Sequence, residues 1–187
     1  MPNILFVSKG DIDIEFVQLF KEAGYSLYGQ VKSASEARRI LDSKDIETVI
    51  INAPLMDEFG HDLALSIDEK SFANVIIIAG ANIADSVEQR MYGTSVITIP
   101  KPVSRRQLFK TLSFVRAQSQ KISRLFDENQ KLQDRLEEFK LVSRAKMLLI
   151  EKNKMSEEAA HKHIDKTAKD QRRTKRDVAK SIIDMYS

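Results

Sequence analysis

The sequence predicts an α/β domain, a doubly wound five-stranded parallel sheet, followed by a long coiled-coil helix and a small all-α three-helix bundle. Three observations carry this. Several short β-branched runs are apolar throughout, as strands covered on both faces are. All six glycines lie at or before Gly93 and all four prolines at or before Pro102, so Val103–Ser187 lacks the usual punctuation of loops. Charge divides at the same place. Residues 1–120 hold 13 basic and 15 acidic side chains, and residues 121–187 hold 17 and 12, beneath a total of +3.

The elements follow in order. Asn3–Val7 is a buried strand, and Ile14–Ala23 is a helix with Ile14, Val17 and Phe20 on one side. Tyr25–Gly29 is a second strand, and Ser35–Leu41 a helix with Ser35 as its N-cap. Thr48–Ile51, Asn74–Ile78 and Ser95–Ile99 are three further strands, separated by helical patterns around Asp62–Ile67 and Asp85–Tyr92. That βα alternation gives the parallel sheet. Asp11 and Asp13 stand just before a helix, which suits N-capping, and Asp57 and Glu58 read as solvated residues of a surface turn.

Composition removes several functions. Apolar residues make up 42%, enough for a core, and the absence of cysteine removes disulfides, thiol nucleophiles and thiolate metal sites. His161 and His163, two apart on a helix, point in different directions and do not form a metal site. No phosphate-binding or dinucleotide glycine motif is present, so no cofactor and no enzyme activity are expected. With no signal peptide and no apolar run of about 18 residues, the expected location is cytoplasmic, with no membrane partner.

Ligands of such a sheet sit beyond the carboxyl ends of the strands. There the chain has Ser8-Lys9-Gly10, Asn52-Ala53-Pro54-Leu55 with Gly60 further on, Ala79-Gly80, and Pro100-Lys101-Pro102. These residues resemble the receiver (CheY-like) domain of bacterial response regulators. The resemblance implies an acid pair after strand one, an acceptor aspartate after strand three, a hydroxyl after strand four and a lysine after strand five. Ser8 and Lys9 replace the acid pair, Asn52 the acceptor and Ala79 the hydroxyl; Lys101 alone is retained. Without carboxylates the site is a poor holder of a hard cation, so a pseudo-receiver that is not phosphorylated is expected. The alternative for Lys101 is a plain strand-end cap. A partner protein, a ligand or abundance is left to regulate such a domain.

Ser104 caps the last helix of this domain, and no breaker follows for some fifty residues. A heptad from Val115 places Ile122, Asn129 and Leu136 at a, and Leu125, Leu132 and Phe139 at d. The seam predicts a parallel coiled-coil homodimer, with Asn129 setting register. The alternative is that the stripe packs on its own receiver.

Val142, Ala145, Leu148 and Leu149 continue the helix to a left-handed turn at Asn153. Ser156 caps a second helix with Ala159, Ala160, Ile164 and Ala168 on its apolar side. Thr174 and Asp177 form a variant capping box before a third, carrying Val178, Ala179, Ile182, Ile183 and Tyr186. Arg144-Ala145-Lys146, Leu148-Leu149, Met155–Ala160, Ala168–Asp170 and Asp177–Ala179 resemble, in order and spacing, the ANTAR domain over about residues 140–186. The chain as a whole is similar to the amidase-operon type of antiterminator. The expected division is 1–118 pseudo-receiver, 119–140 dimerisation helix and 141–187 ANTAR domain.

That family binds paired RNA stem-loops in mRNA leaders, so that a competing terminator cannot form. The residues agree: Lys162, Lys166, Lys169 and Arg173 form one helical stripe, which Arg172, Lys175, Arg176 and Lys180 extend. Such a stripe suits phosphate contact, with the arginines best placed for bases. Arg144 and Lys146 join the RNA-binding set through the family motif. Two other readings remain open: a DNA-binding transcription factor, and a protein-interaction module that touches no nucleic acid.

Overall fold

The computed structural model describes residues 1–186. Its elements are β1 (Asn3–Ser8), α1 (Ile14–Glu22), β2 (Ser26–Val31), α2 (Ala34–Leu41), β3 (Thr48–Asn52), α3 (His61–Lys70), β4 (Asn74–Gly80), α4 (Ala81–Arg90), β5 (Ile97–Lys101), α5 (Arg105–Asn153), α6 (Glu157–Asp170) and α7 (Lys175–Met185). They form two compact units, Met1–Ser119 and Gln120–Ser187.

The first unit is a five-stranded parallel sheet of order β2-β1-β3-β4-β5. Strand parity sorts the core into two layers. Leu5, Val7, Val49, Ile51, Val75 and Ile77 face α2, α3 and α4 through Ala37, Leu63, Ile67 and Val87. Ile4, Phe6, Ile50, Ile76 and Ile78 face α1 and α5 through Leu19, Phe20, Leu108, Leu112 and Val115. Both faces are covered, which is why these strands are apolar without alternation. Gly60 starts α3 at φ 111°, where a Cβ would lie 2.7 Å from Ile51 Cγ2, so only glycine fits. At the end of α1, the Tyr25 and Gly24 amides donate to the Phe20 and Lys21 carbonyls at 2.8 and 2.9 Å, with Gly24 at φ 83°. This is a Schellman turn with glycine in its left-handed position.

Several local expectations are corrected. Ser33, not Ser35, caps α2 by accepting from the Glu36 amide. Of the expected apolar side of α1, Phe20 is buried but Ile14 is exposed, and Leu19 is buried beside Phe20. Helix α4 begins at Ala81, directly after β4, rather than near Asp85. Asp57 is exposed on the expected surface turn and Glu58 is half-buried, but both are bonded. Asp57 accepts from the Ala34 and Ser35 amides at 2.8 and 3.0 Å and from the Ser35 hydroxyl at 2.8 Å. Desolvation raises its carboxyl, but these bonds outweigh that and lower its pKa to about 2. Glu58 accepts from Arg38 at 2.8 Å and from the Leu63 amide at 2.9 Å. The expected Asp13 cap on α1 is present.

The second unit holds α6, α7 and the later part of α5 around one core: Ala145, Leu149, Ala160, Ile164, Ala168, Val178, Ala179, Ile182 and Ile183. Ala159 is exposed, contrary to its expected place on the apolar side. The left-handed residue after α5 is Lys154, at φ 57°, one position beyond the expected Asn153. Asn153 instead accepts from the Tyr186 hydroxyl at 2.7 Å. Among the described residues, no helix is long and apolar enough to cross a membrane.

Candidate nucleic-acid interface

The bundle is fastened at its helix starts. Ser156 accepts from the Ala159 amide at 3.2 Å, satisfying one of the orphan donors that open α6. Thr174 does the same for α7, accepting from the Asp177 amide at 3.1 Å and donating to its carboxylate at 2.7 Å. That hydroxyl bond is the main cause holding the Asp177 carboxyl below its usual range; the Arg173 and Lys180 charges add to it. The buried alanines Ala145, Ala160, Ala168 and Ala179 supply small surfaces where helices meet.

The predicted cations then separate into two groups. Five are engaged within the unit. Lys146 pairs with Glu157 at 3.0 Å, Lys162 with Glu158 at 2.7 Å and Lys175 with Asp165 at 2.7 Å. Arg176 pairs with Glu137 and, at 3.8 Å, Asp134, both on α5. Arg173 donates to the Asp177 carbonyl at 3.1 Å, the Ser181 hydroxyl at 2.8 Å and the Gln171 amide oxygen at 3.3 Å. The side chains of the other five, Arg144, Lys166, Lys169, Arg172 and Lys180, are exposed and make no hydrogen bond or salt bridge within the described residues, though the Lys169 and Lys180 charges act on Asp165 and Asp177. The exposed Lys162–Glu158 pair is the kind worth under about 1 kcal/mol, so a phosphate can take Lys162 from it. Arg176 is held by two carboxylates and is partly buried, which makes it costly to redirect.

Arg172 stands out by its backbone. It has φ 50°, and its amide donates to the Lys169 carbonyl at 3.2 Å while the Arg173 amide donates to the Ala168 carbonyl at 3.0 Å. This is again a Schellman turn, with arginine in the position Gly24 occupies after α1. The turn leaves the guanidinium exposed beside Lys169 in sequence. Sequence reasoning missed the acids opposite Arg176, because Asp134 and Glu137 lie some forty residues away and no local periodicity links them.

The seam residues Ile122, Leu125, Leu132, Leu136 and Phe139 are each more than half exposed, as is Phe126; Asn129 is exposed among them. The heptad's first a position, Val115, is instead buried in the core of the first unit.

At the carboxyl edge of the sheet, Ser8 and Asn52 are register partners, as are Gly80 and Lys101. The Asn52 amide donates to the Ser8 hydroxyl at 3.1 Å, and Lys101 Nζ donates to the Ala53 carbonyl at 2.6 Å. Ser8 and Ala79 are buried, and Lys9 is exposed. Burial, and then the charge of Lys9, lower the Lys101 pKa. No carboxylate joins the four polar groups: Asp11 pairs with Lys32 at 3.2 Å and Asp13 caps α1.

Comparison with known proteins bears on both units. The ANTAR domain family matches residues 130–183, so its match takes in Leu132, Leu136, Phe139 and the acids opposite Arg176. The transcriptional regulatory protein PdtaR, from two strains of Mycobacterium tuberculosis, is 28% identical over 186 residues, covering 98% of this chain and 91% of the relative. The signal receiver domain of an HD domain-containing protein from Pseudomonas fluorescens superposes with TM-score 0.56 at 21% identity, over 66% of this chain and 93% of that one. A response regulator receiver domain from Clostridium thermocellum gives 0.54 at 19%, over 65% and 99%. At these identities the solved structures establish the receiver fold of the first unit.

Proposed function

We propose that this chain, whose residues 130–183 match the ANTAR domain family and whose first unit has the receiver fold, is an RNA-binding transcription antitermination regulator. In this reading residues 1–118 form a pseudo-receiver that is not phosphorylated, 119–140 a dimerisation helix and 141–187 the RNA-binding module. The dimer binds paired stem-loops in a nascent leader, and the terminator loses the strand it needs. Dimerisation makes the second hairpin contact effectively intramolecular. The seam residues are exposed where a second helix would cover them. A regulatory protein partner on the pseudo-receiver belongs to the same reading.

The observation that carries it is the set of exposed cations of the second unit whose side chains make no hydrogen bond or salt bridge within the described residues: Arg144, Lys166, Lys169, Arg172 and Lys180. These side chains are open to phosphates. RNA affinity should therefore fall steeply with salt, by about 0.7 log units per log of salt for each single-strand phosphate neutralised. The direct test is titration of full-length protein with a paired-hairpin leader RNA and with duplex DNA at equal salt. The proposal expects preference for RNA and a steep slope. Preference for duplex DNA, or salt-independent RNA affinity, overturns it. The dimer is tested by sedimentation of the full chain with Leu132→Asp and Leu136→Asp, expected to turn a dimer into a monomer.

A further inference from the structure

We propose that the exposed face of α5 in the first unit is a second RNA contact, taking single-stranded RNA by phosphate pairing to Arg106 and Lys110 and by base stacking on Phe109 and Phe114. This rests on the chain being an RNA-binding regulator, and it adds a surface outside the ANTAR unit.

The distribution of charge carries the inference. All 15 acids of residues 1–120 lie at or before Glu88, and residues 89–126 hold eight basic side chains and no acidic one. Four of the six that belong to the first unit are held. Asp62 pairs with Arg90 at 3.4 Å and Glu22 with Arg105 at 2.7 Å, while Lys101 and Arg116 donate to the Ala53 and Ala23 carbonyls. Arg106 and Lys110 are exposed, and their side chains make no hydrogen bond or salt bridge within the described residues. Neither helps the helix. Arg106 stands in the first turn of α5, which holds no acid and where a cation opposes the helix dipole. Lys110 is four residues further on, and like charges at that spacing repel. A polyanion laid along α5 would relieve both.

Two phenylalanines interleave with these cations. Phe109 is 38% and Phe114 58% exposed, while Leu108, Leu112 and Val115 turn the other side of the helix into the core. Phe109 follows Arg106 by three residues and Phe114 follows Lys110 by four, so each cation has a ring about one turn away. Cations alternating with rings suit a single strand, along which phosphates and open base faces recur together. A paired stem keeps its base faces covered, so the strand bound here is an unpaired spacer or flank of the leader. An acidic protein would meet the cations but brings no row of bases to the rings, and protein interfaces deplete charge at their centres.

The test titrates full-length protein into a labelled oligouridylate of about twelve nucleotides, which forms no hairpin, and follows fluorescence anisotropy at several salt concentrations. Saturable binding is expected. Arg106→Gln with Lys110→Gln should reduce the salt slope by about 1.4, and Phe114→Ala should weaken binding about fivefold or more, both at unchanged melting temperature. Lys166→Ala with Lys169→Ala should leave the oligouridylate affinity within about twofold, because those cations lie outside this surface. Photocrosslinking through thiouridine should label Phe109 or Phe114, and a poly-glutamate peptide should bind about tenfold or more weakly than the oligouridylate. No binding of the oligouridylate, indifference to all the α5 variants, loss of binding through Lys166→Ala with Lys169→Ala alone, or poly-glutamate bound as tightly would each overturn the proposal. Paired-hairpin RNA titrated in parallel separates the two readings. Hairpins that fail to bind while the oligouridylate binds overturn the antitermination reading; hairpins that bind while the oligouridylate does not overturn this one.

Discussion

The two units use charge in opposite ways. In the receiver-fold unit, charged side chains fasten one element to another: Asp57 holds the start of α2, and Glu58 joins Arg38 to α3. In the ANTAR unit, half of the ten predicted RNA-binding cations are used in this way, and half make no side-chain hydrogen bond or salt bridge within the described residues. Similar side chains therefore do different work, and a count of charge cannot tell which. What separates them is whether a partner stands within reach.

The contrast can be broken most severely in the core. Ile164→Ala opens a cavity among four alanines that cannot move inward, and should cost about 2–5 kcal/mol. Thermal unfolding followed by circular dichroism should show the loss in a transition of the ANTAR unit, with a separate sheet-containing transition unmoved. Next comes the open charge. Lys166→Ala with Lys169→Ala should lower RNA affinity about tenfold or more and reduce the salt slope by about 1.4, at unchanged melting temperature. Arg176→Ala is the counter-experiment. It leaves Asp134 and Glu137 facing each other, so the melting temperature should fall; a loss of RNA affinity with no thermal change would move Arg176 into the open group.

A smaller effect sharpens the receiver side. Asp57→Asn weakens the bonds that cap α2 and should cost about 1 kcal/mol. Because the folded carboxyl titrates at about 2, below its ordinary 3.8, its contribution is complete above the ordinary value and is lost as pH falls toward 2. Acid melts of the parent chain should lose stability more steeply than those of the variant over that range. Smallest is Arg172→Gly, which relieves a left-handed arginine and should raise stability by about 0.5–1 kcal/mol while weakening RNA binding.

Much of the architecture was legible because it depends on local pattern. The strands β1, β3 and β4 start where spacing placed them, and the Ser104, Ser156 and Thr174 caps and the apolar face of α7 stand as expected. Strands β2, β4 and β5 run to Val31, Gly80 and Lys101, two residues past the expected ends, and α6 keeps its expected face except for Ala159. The boundaries that moved depend on partners distant in sequence. Ser35 looked like a cap, but Asp57 takes its hydroxyl and leaves the cap to Ser33. Ile14 matched a helical stripe with Phe20, but the sheet surface is met by Phe20 and the unexpected Leu19. For the candidate site, spacing supplied the basic residues but not their pairing. Arg173 looked equivalent to Lys169 on the stripe, yet it braces Asp177 and Ser181 across the turn. Its substitution would mix folding with binding, which makes Lys166 and Lys169 the cleaner probes.

The two Schellman turns have a consequence of another kind. After α1 the left-handed position holds glycine; after α6 it holds arginine, and after α5 the left-handed residue is lysine. A long-chained residue costs about 1–2 kcal/mol in that conformation, and glycine avoids the cost. The second unit thus gives up stability at both of its bends while keeping a cation at each. Selection for thermal endurance alone would be expected to convert Lys154 and Arg172 to glycine first. A laboratory lineage of that kind, sequenced as it hardens, would reveal how much of the chain's fitness resides in those two charges.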